Sequence, residues 1–375
     1  MITNIKSNVK GMGSFIIVFN GTTKYEYPGV YGISHLIEHC MCNQIKQIEE
    51  DLLADGLSYN ASTSYKFMKF YISGLDKAIK KYRDKFYDLI INYEIPKDVF
   101  ERERGIIITE YISSLSNQAS GMFQNFFRKF LNRPTVIGDL ENLKTLTYED
   151  FINFKNKYFN KPSEIVSISN YPYENTNIEF VKKSKWTLTY PISTYNYTSE
   201  KYGSFDSNRI ILFYDFISDS IENKFEKITY MKIFNAYMND GLSSPLYKDI
   251  REKLANVYAI QTSVSSFSDT DFVFSCLLMT PDEHVNEVKA ALIKTFKYHI
   301  NHLSKRRFNK ILKKSLNEIK TSKYLNYADD SCLVDSIKYY EEALLNKEIT
   351  FDTFSKFANE FISNNEFKIV LDNEL

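Results

Sequence analysis

The chain has 375 residues, 43% hydrophobic and 25% charged, with 47 Lys and Arg against 47 Asp and Glu. This composition excludes a disordered or fibrous chain, and a zero formal net charge leaves no basic footprint for nucleic acid or an anionic membrane. There is no leader-like N-terminus, no apolar run near the roughly 18 residues of a membrane span, and too few scattered cysteines (Cys40, Cys42, Cys276, Cys332) for a disulfide framework, so the expectation is a cytoplasmic protein with two cores.

In chain order, SFIIVFNG predicts a strand and GISHLIEHCMCNQIKQIEEDLLADG a helix. LSYNASTSYKFMKFYISG is rich in aromatic and β-favouring residues with partial alternation, which predicts a hairpin or strand pair. In the next stretch Leu75, Ile79, Tyr82, Phe86 and Leu89 recur at helical spacing, and Pro96 marks the entry to a further helix, KDVFERERGIIITEYISSL. The second half repeats this order: a strand RIILFYDF, a helical stretch Ile221 to Met238, then SSPLYKDIREKLANVYAIQTS, strands and two helices. Local echoes pair Tyr59 with Tyr258, Phe100 with Phe308 and Glu110 with Glu318. We read a duplicated α+β unit. The domains expected are 1–182 and 204–375, joined by a polar linker at 183–203.

Only the first half carries a histidine pair. His35 and His39 stand four residues apart, one helical turn, so both imidazoles lie on one face and can reach one metal ion. Glu38 lies on the same side and can take a proton from water beside such a metal. A catalytic zinc needs a third protein ligand. Glu103 and Glu110, seven residues apart on the next long helix, share a face, and either can supply it while the other orients a histidine. Read alone, these two glutamates are ordinary solvated helix charges.

The match extends beyond the pentad. The inverted H-x-x-E-H motif, within EYPGVYGISHLIEHCM, together with GLSYNASTS, ERERGIIITE and LSSPLYKDIREKLANVY, resembles the ordered blocks of the pitrilysin/insulinase family of zinc metallopeptidases. The resemblance implies an α+β fold of two homologous α/β-sandwich domains, each a mixed or antiparallel sheet with helices packed on one face. It implies one zinc ion per chain held by His35, His39 and Glu110, with Glu103 supporting the site and Glu38 as general base. Asn60, Ala61, Ser62 and Thr63 correspond to the strand that takes substrate as an added β-strand, and Arg251 and Tyr258 to the pair that contacts substrate and the transition-state oxygen. The chain opens late relative to the family, so its first strand is expected to be missing.

The function implied is a zinc endopeptidase acting on extended peptides or unfolded segments. The partner expected is a second copy completing each site, with a heterodimer also open. The alternative is a non-catalytic recognition or structural subunit of a heterodimeric peptidase. Cys40 and Cys42 are expected as buried free thiols, because adjacent-but-one residues on a helix point about 200° apart. Arg251 can instead be a surface partner of Asp249 or Glu252, and His284, His299 and His302 read as helix-surface residues.

Overall fold

The computed structural model describes residues 1–7, 9–92, 94–116, 134–181, 207–217, 221–257, 260–266, 271–322, 348–359 and 368–371. They form two compact units, one built on Met1–Trp186 and the other on Thr187–Thr321 and Asp335–Leu375. The 183–203 linker lies outside the described residues.

In the first unit the elements in chain order are β1 (Ile2–Ile5), β2 (Met12–Asn20), α1 (Ile33–Asn43), α2 (Glu49–Ala54), β3 (Leu57–Thr63), β4 (Phe67–Leu75), α3 (Asp76–Ile91), α4 (Lys97–Ser116), α5 (Leu140–Thr145), α6 (Tyr148–Tyr158) and β5 (Glu164–Ile168). The strands form one five-stranded sheet in the order β1-β5-β2-β4-β3. It is antiparallel except at β1, which runs parallel to β5. The alternation in β2 directs Phe15, Ile17 and Phe19 to one face, opposite Ile72, Phe70 and Met68 of β4. These side chains pack with Leu36, Ile37, Cys40 and Met41 of α1, Ile79 and Phe86 of α3, and Phe100 and Ile107 of α4 into one core. At about 1.5–3 kcal/mol per fully buried large apolar side chain, this face anchors the helices to the sheet.

The N-terminal strand corrects the expectation from the resemblance. Ile2–Ile5 is an edge strand in register with Ile165–Ile168, missed because four residues, three half-buried and Asn4 exposed, carry no readable alternation. At the other edge, β3 pairs only with β4 among the described strands. The hairpin between them closes through Ser64 N–H to Phe67 O at 2.8 Å. Helix α1 begins at Gly32, whose φ of +94° is a left-handed conformation. A Cβ at Gly138 would sit 2.4 Å from the Gly32 Cα, so only paired glycines let the turn before α5 lie against the start of α1.

The second unit repeats this plan with β6 (Ser207–Ile217), α7 (Ile221–Asn239), β7 (Ile260–Ser266), β8 (Asp271–Pro281), α8 (Val285–Asn301), α9 (Lys305–Ser322), α10 (Phe351–Phe357) and β9 (Lys368–Leu371). Its antiparallel sheet runs β9-β6-β8-β7, the same chain-order topology as β5-β2-β4-β3 in the first unit. Phe100 and Phe308 are each the fourth residue of their helix, and both are buried in their respective cores. Tyr258, and Glu318 as a side chain, lie outside the described residues. No helix among the described residues is long and apolar enough to cross a membrane.

Candidate metal centre

Helix α1 turns Ile33, Leu36, Ile37, Cys40 and Met41 into the core. The helical period then places His35, Glu38 and His39 together on another side. The two imidazole rings stand 4.8 Å apart between centroids at 87°. Helix α4 packs across this face with Ile107 and Tyr111 buried, and presents Glu103 and Glu110 to it. Glu110 Oε2 lies 4.0 Å from His35 Nε2 and 3.7 Å from His39 Nε2. The three candidate ligand atoms fall within 4.8 Å of one another. Tetrahedral zinc at 2.0–2.2 Å from each donor sets them about 3.3–3.6 Å apart. The cluster needs only a small contraction to reach that geometry, and a nitrogen–nitrogen–carboxylate set is one zinc accepts.

The surroundings fit a ligand role. Burial and the neighbouring His39 hold the His35 imidazole down to a pKa of about 3, so it stays neutral with a lone pair to offer. His35 Nδ1 is buried without a hydrogen-bond partner. Glu103 is buried, and its Oε2 faces His39 Nδ1 at 3.5 Å, an arrangement that fixes the tautomer leaving Nε2 free. Glu103 is itself held by Asn43 Nδ2 at 2.9 Å and by Arg102 Nε at 3.3 Å. Thus the seven-residue spacing of the glutamates serves the two nitrogens of one histidine.

Glu38 sits beside these donors, 3.9 Å from His35 Nε2, and accepts a hydrogen bond from Thr63 Oγ1 at 3.1 Å. Burial raises its carboxyl to about 7; the Thr63 bond opposes the shift and the Glu110 charge adds to it. A carboxyl that titrates near neutrality can accept and return a proton. Thr63 comes from the edge strand, whose Asn60, Ala61 and Ser62 precede it; the Asn60 side chain accepts from Ala61 N–H at 2.8 Å.

Arg251 belongs to the second unit, on a π-helical turn, Tyr247–Glu252, with its guanidinium over the Tyr247 ring at 5.2 Å. Asp249, one of its suggested partners, instead binds His299 Nε2 at 2.8 Å and pairs with Lys253. His299 is therefore a half-buried, bonded residue rather than a bare surface one. Cys40 and Cys42 are free, Cys40 buried and Cys42 only half-buried; burial is the main force raising both thiols.

One structural residue of the site went unread. Glu26 is buried, and its carboxylate accepts from Gly32 N–H at 3.3 Å and Ser34 N–H at 3.0 Å. It caps α1 in place of the glycine at the N-cap, which has no side chain to do so. The available signal was an acid six residues before the N-terminal glycine of the histidine helix.

Residues 7–142 match the family model Insulinase (Peptidase family M16), and residues 145–315 match Peptidase M16 inactive domain. An uncharacterized zinc protease of Rickettsia bellii is 24% identical over 293 residues, 72% of this chain and 68% of that one. The β subunit of the mitochondrial-processing peptidase of Neurospora crassa is 25% identical over 45% of this chain and 38% of its own. In fold, a protease from Helicobacter pylori superposes with a TM-score of 0.78 at 15% identity, over 99% of this chain and 96% of that one. The helices that carry His35, His39 and Glu110 lie in the half that matches the insulinase model, and the half without a histidine pair matches the inactive domain. The chain belongs to the pitrilysin/insulinase family of zinc peptidases.

Proposed function

We propose that this protein is a zinc-dependent endopeptidase that hydrolyses extended peptides or unfolded segments. The observation that carries this reading is the convergence of His35, His39 and Glu110 within 4.8 Å, with Glu38 beside them. Zinc held by those three groups supplies Lewis-acid polarisation and activation of water. Glu38, held by Thr63, removes a proton from the attacking water at its carboxylate oxygen and returns it to the leaving amine nitrogen. Glu103 keeps His39 in the ligating tautomer. The exposed edge of β3 at Asn60–Thr63 takes substrate as an added strand, so main-chain hydrogen bonds provide affinity.

Arg251 and Tyr258, supplied by a second copy of the chain, complete the site and stabilise the oxyanion; the working unit is a homodimer, or a heterodimer with a related chain. Cleavage of a quenched-peptide library by the zinc-loaded wild type, abolished in Glu38→Gln, tests the reading. A folded, zinc-loaded wild type that cuts nothing would favour a recognition subunit instead. Mixing Glu38→Gln with Arg251→Ala chains tests the shared site: recovered activity supports it, and no recovery despite subunit exchange counts against it.

A further inference from the structure

The edge strand leads to a second carboxylate. Residues two apart on a strand share a face, so Tyr59, Ala61 and Thr63 form one row, about 6.6 Å between neighbours. Tyr59 and Ala61 pack against the core that α1 enters, and Thr63 reaches Glu38, which shows that the row faces the metal-site helix. Ala61 is the short member of the row, between Thr63 and Tyr59. Cys42 lies one turn beyond Glu38 on α1 and packs against the same core. Burial first, then the charges of Glu38 and Glu103, opposed by Lys46 and aided by Glu49, push its thiol up to about 12, which places the side chain within electrostatic reach of all three acids and of Lys46.

At the far end of this row, Tyr59 Oη donates to Glu49 Oε1 at 2.8 Å. Burial, followed by this bond, raises the Tyr59 phenol to about 12, so it remains a donor under all ordinary conditions. Glu49 is half-buried, and no cation is paired with it among the described residues. A neutral acceptor would satisfy the tyrosine equally well, so the phenol bond alone does not account for a charge there. Placement in the first turn of α2 beside Glu50 and Asp51 gives a modest dipole benefit, but that role produces no preference among ligands.

We infer that Glu49 is a specificity-determining residue: it receives the Lys or Arg side chain of the substrate residue lying opposite Ala61, while Tyr59 holds its carboxylate in place. Directly opposed residues of paired strands place their side chains on the same face. The side chain at that position therefore passes over the short Ala61 and runs by Cys42 towards the Glu49 oxygen that Tyr59 does not bond. Arg fits better than Lys, because its planar fork engages a carboxylate through two donors. The inference rests on the peptidase reading, and it adds a preference for a basic residue a fixed step from the bond cut.

The test uses the full zinc-loaded chain and a quenched-peptide library in which each position in turn is Arg, Lys, norleucine or Glu. The wild type is expected to favour Arg over norleucine at one position by about fivefold in kcat/KM, the scale of a partly exposed ion pair, mainly through KM. That ratio falls to about one in Glu49→Gln, inverts towards Glu in Glu49→Lys, and shrinks in Tyr59→Phe. An undiminished ratio in Glu49→Gln, or no basic preference at any position in a cleaving wild type, overturns the inference. If the wild type cleaves nothing, the peptidase reading fails separately, and peptide binding decides the role of Glu49. Tighter binding of the Arg peptide by Glu38→Gln, lost in Glu38→Gln/Glu49→Gln, supports it; equal or absent binding overturns it.

Discussion

Replacing Glu26 with Gln tests how the histidine helix is held. The side chain keeps its size but loses its charge, and its amide nitrogen cannot accept one of the two backbone N–H groups, Gly32 and Ser34, that the carboxylate now satisfies. A buried N–H left unmatched costs about 1–3 kcal/mol, and loss of a negative charge at a helix N-terminus costs about 0.3–1 kcal/mol more. Glu26 is 8% exposed, so water offers little relief. The sum is about 1.3–4 kcal/mol, concentrated on the first turn of α1. His35 is the third residue of that helix, so loosening the turn displaces a ligand. Hydrogen exchange at the Ser34 amide is expected to accelerate at least about tenfold, since each 1.36 kcal/mol is a factor of ten. Zinc affinity, measured by chelator competition, is expected to weaken about tenfold, as for loss of an outer-shell support. Exchange and affinity both within twofold of wild type would refute the argument.

Three further outcomes follow from the geometry. Glu103→Gln is expected to weaken zinc binding 10- to 100-fold while the Asn43 contact keeps the helix pair in place, and an unchanged zinc Kd would remove Glu103 from the site. Ala255 is the one non-glycine residue among those described with a positive φ, +57°; Ala255→Gly should raise stability by roughly 0.5–1 kcal/mol in urea unfolding, the relief of left-handed strain less the added unfolded-state freedom. In the metal-free protein, burial keeps His35 neutral down to about pH 3 against an ordinary 6.5, while burial keeps Glu38 protonated up to about 7 against 4.5. Between pH 6.5 and 4.5 the folded state carries its proton on Glu38 and the unfolded state carries one on His35, so their contributions to the pH slope cancel. Glu38→Gln removes the folded-state proton, and stability should then fall as pH drops through that window by up to about 1.4 kcal/mol per pH unit; an unchanged slope in denaturant titrations would contradict this.

The one-turn spacing of His35 and His39, the two-turn spacing of Glu103 and Glu110, and the alternation of the β3–β4 hairpin were all legible as local periodicities, because a helix or strand places residues on a face without reference to anything distant. The same holds for the duplicated order of elements, whose two sheets share one topology. Other features depended on contacts between residues far apart in the chain. Ile2–Ile5 is a strand only because Ile165–Ile168 is there to pair with it. Glu103 and Glu110 divide the two nitrogens of His39 between them because α4 packs across α1, which spacing within either helix cannot reveal. Thr63 reaches Glu38 and Tyr59 holds Glu49 because the sheet edge abuts the helices. Sequence by itself determined which side chains travel together on each element. Tertiary packing decided which of those faces meet, since that depends on burying both apolar surfaces at once.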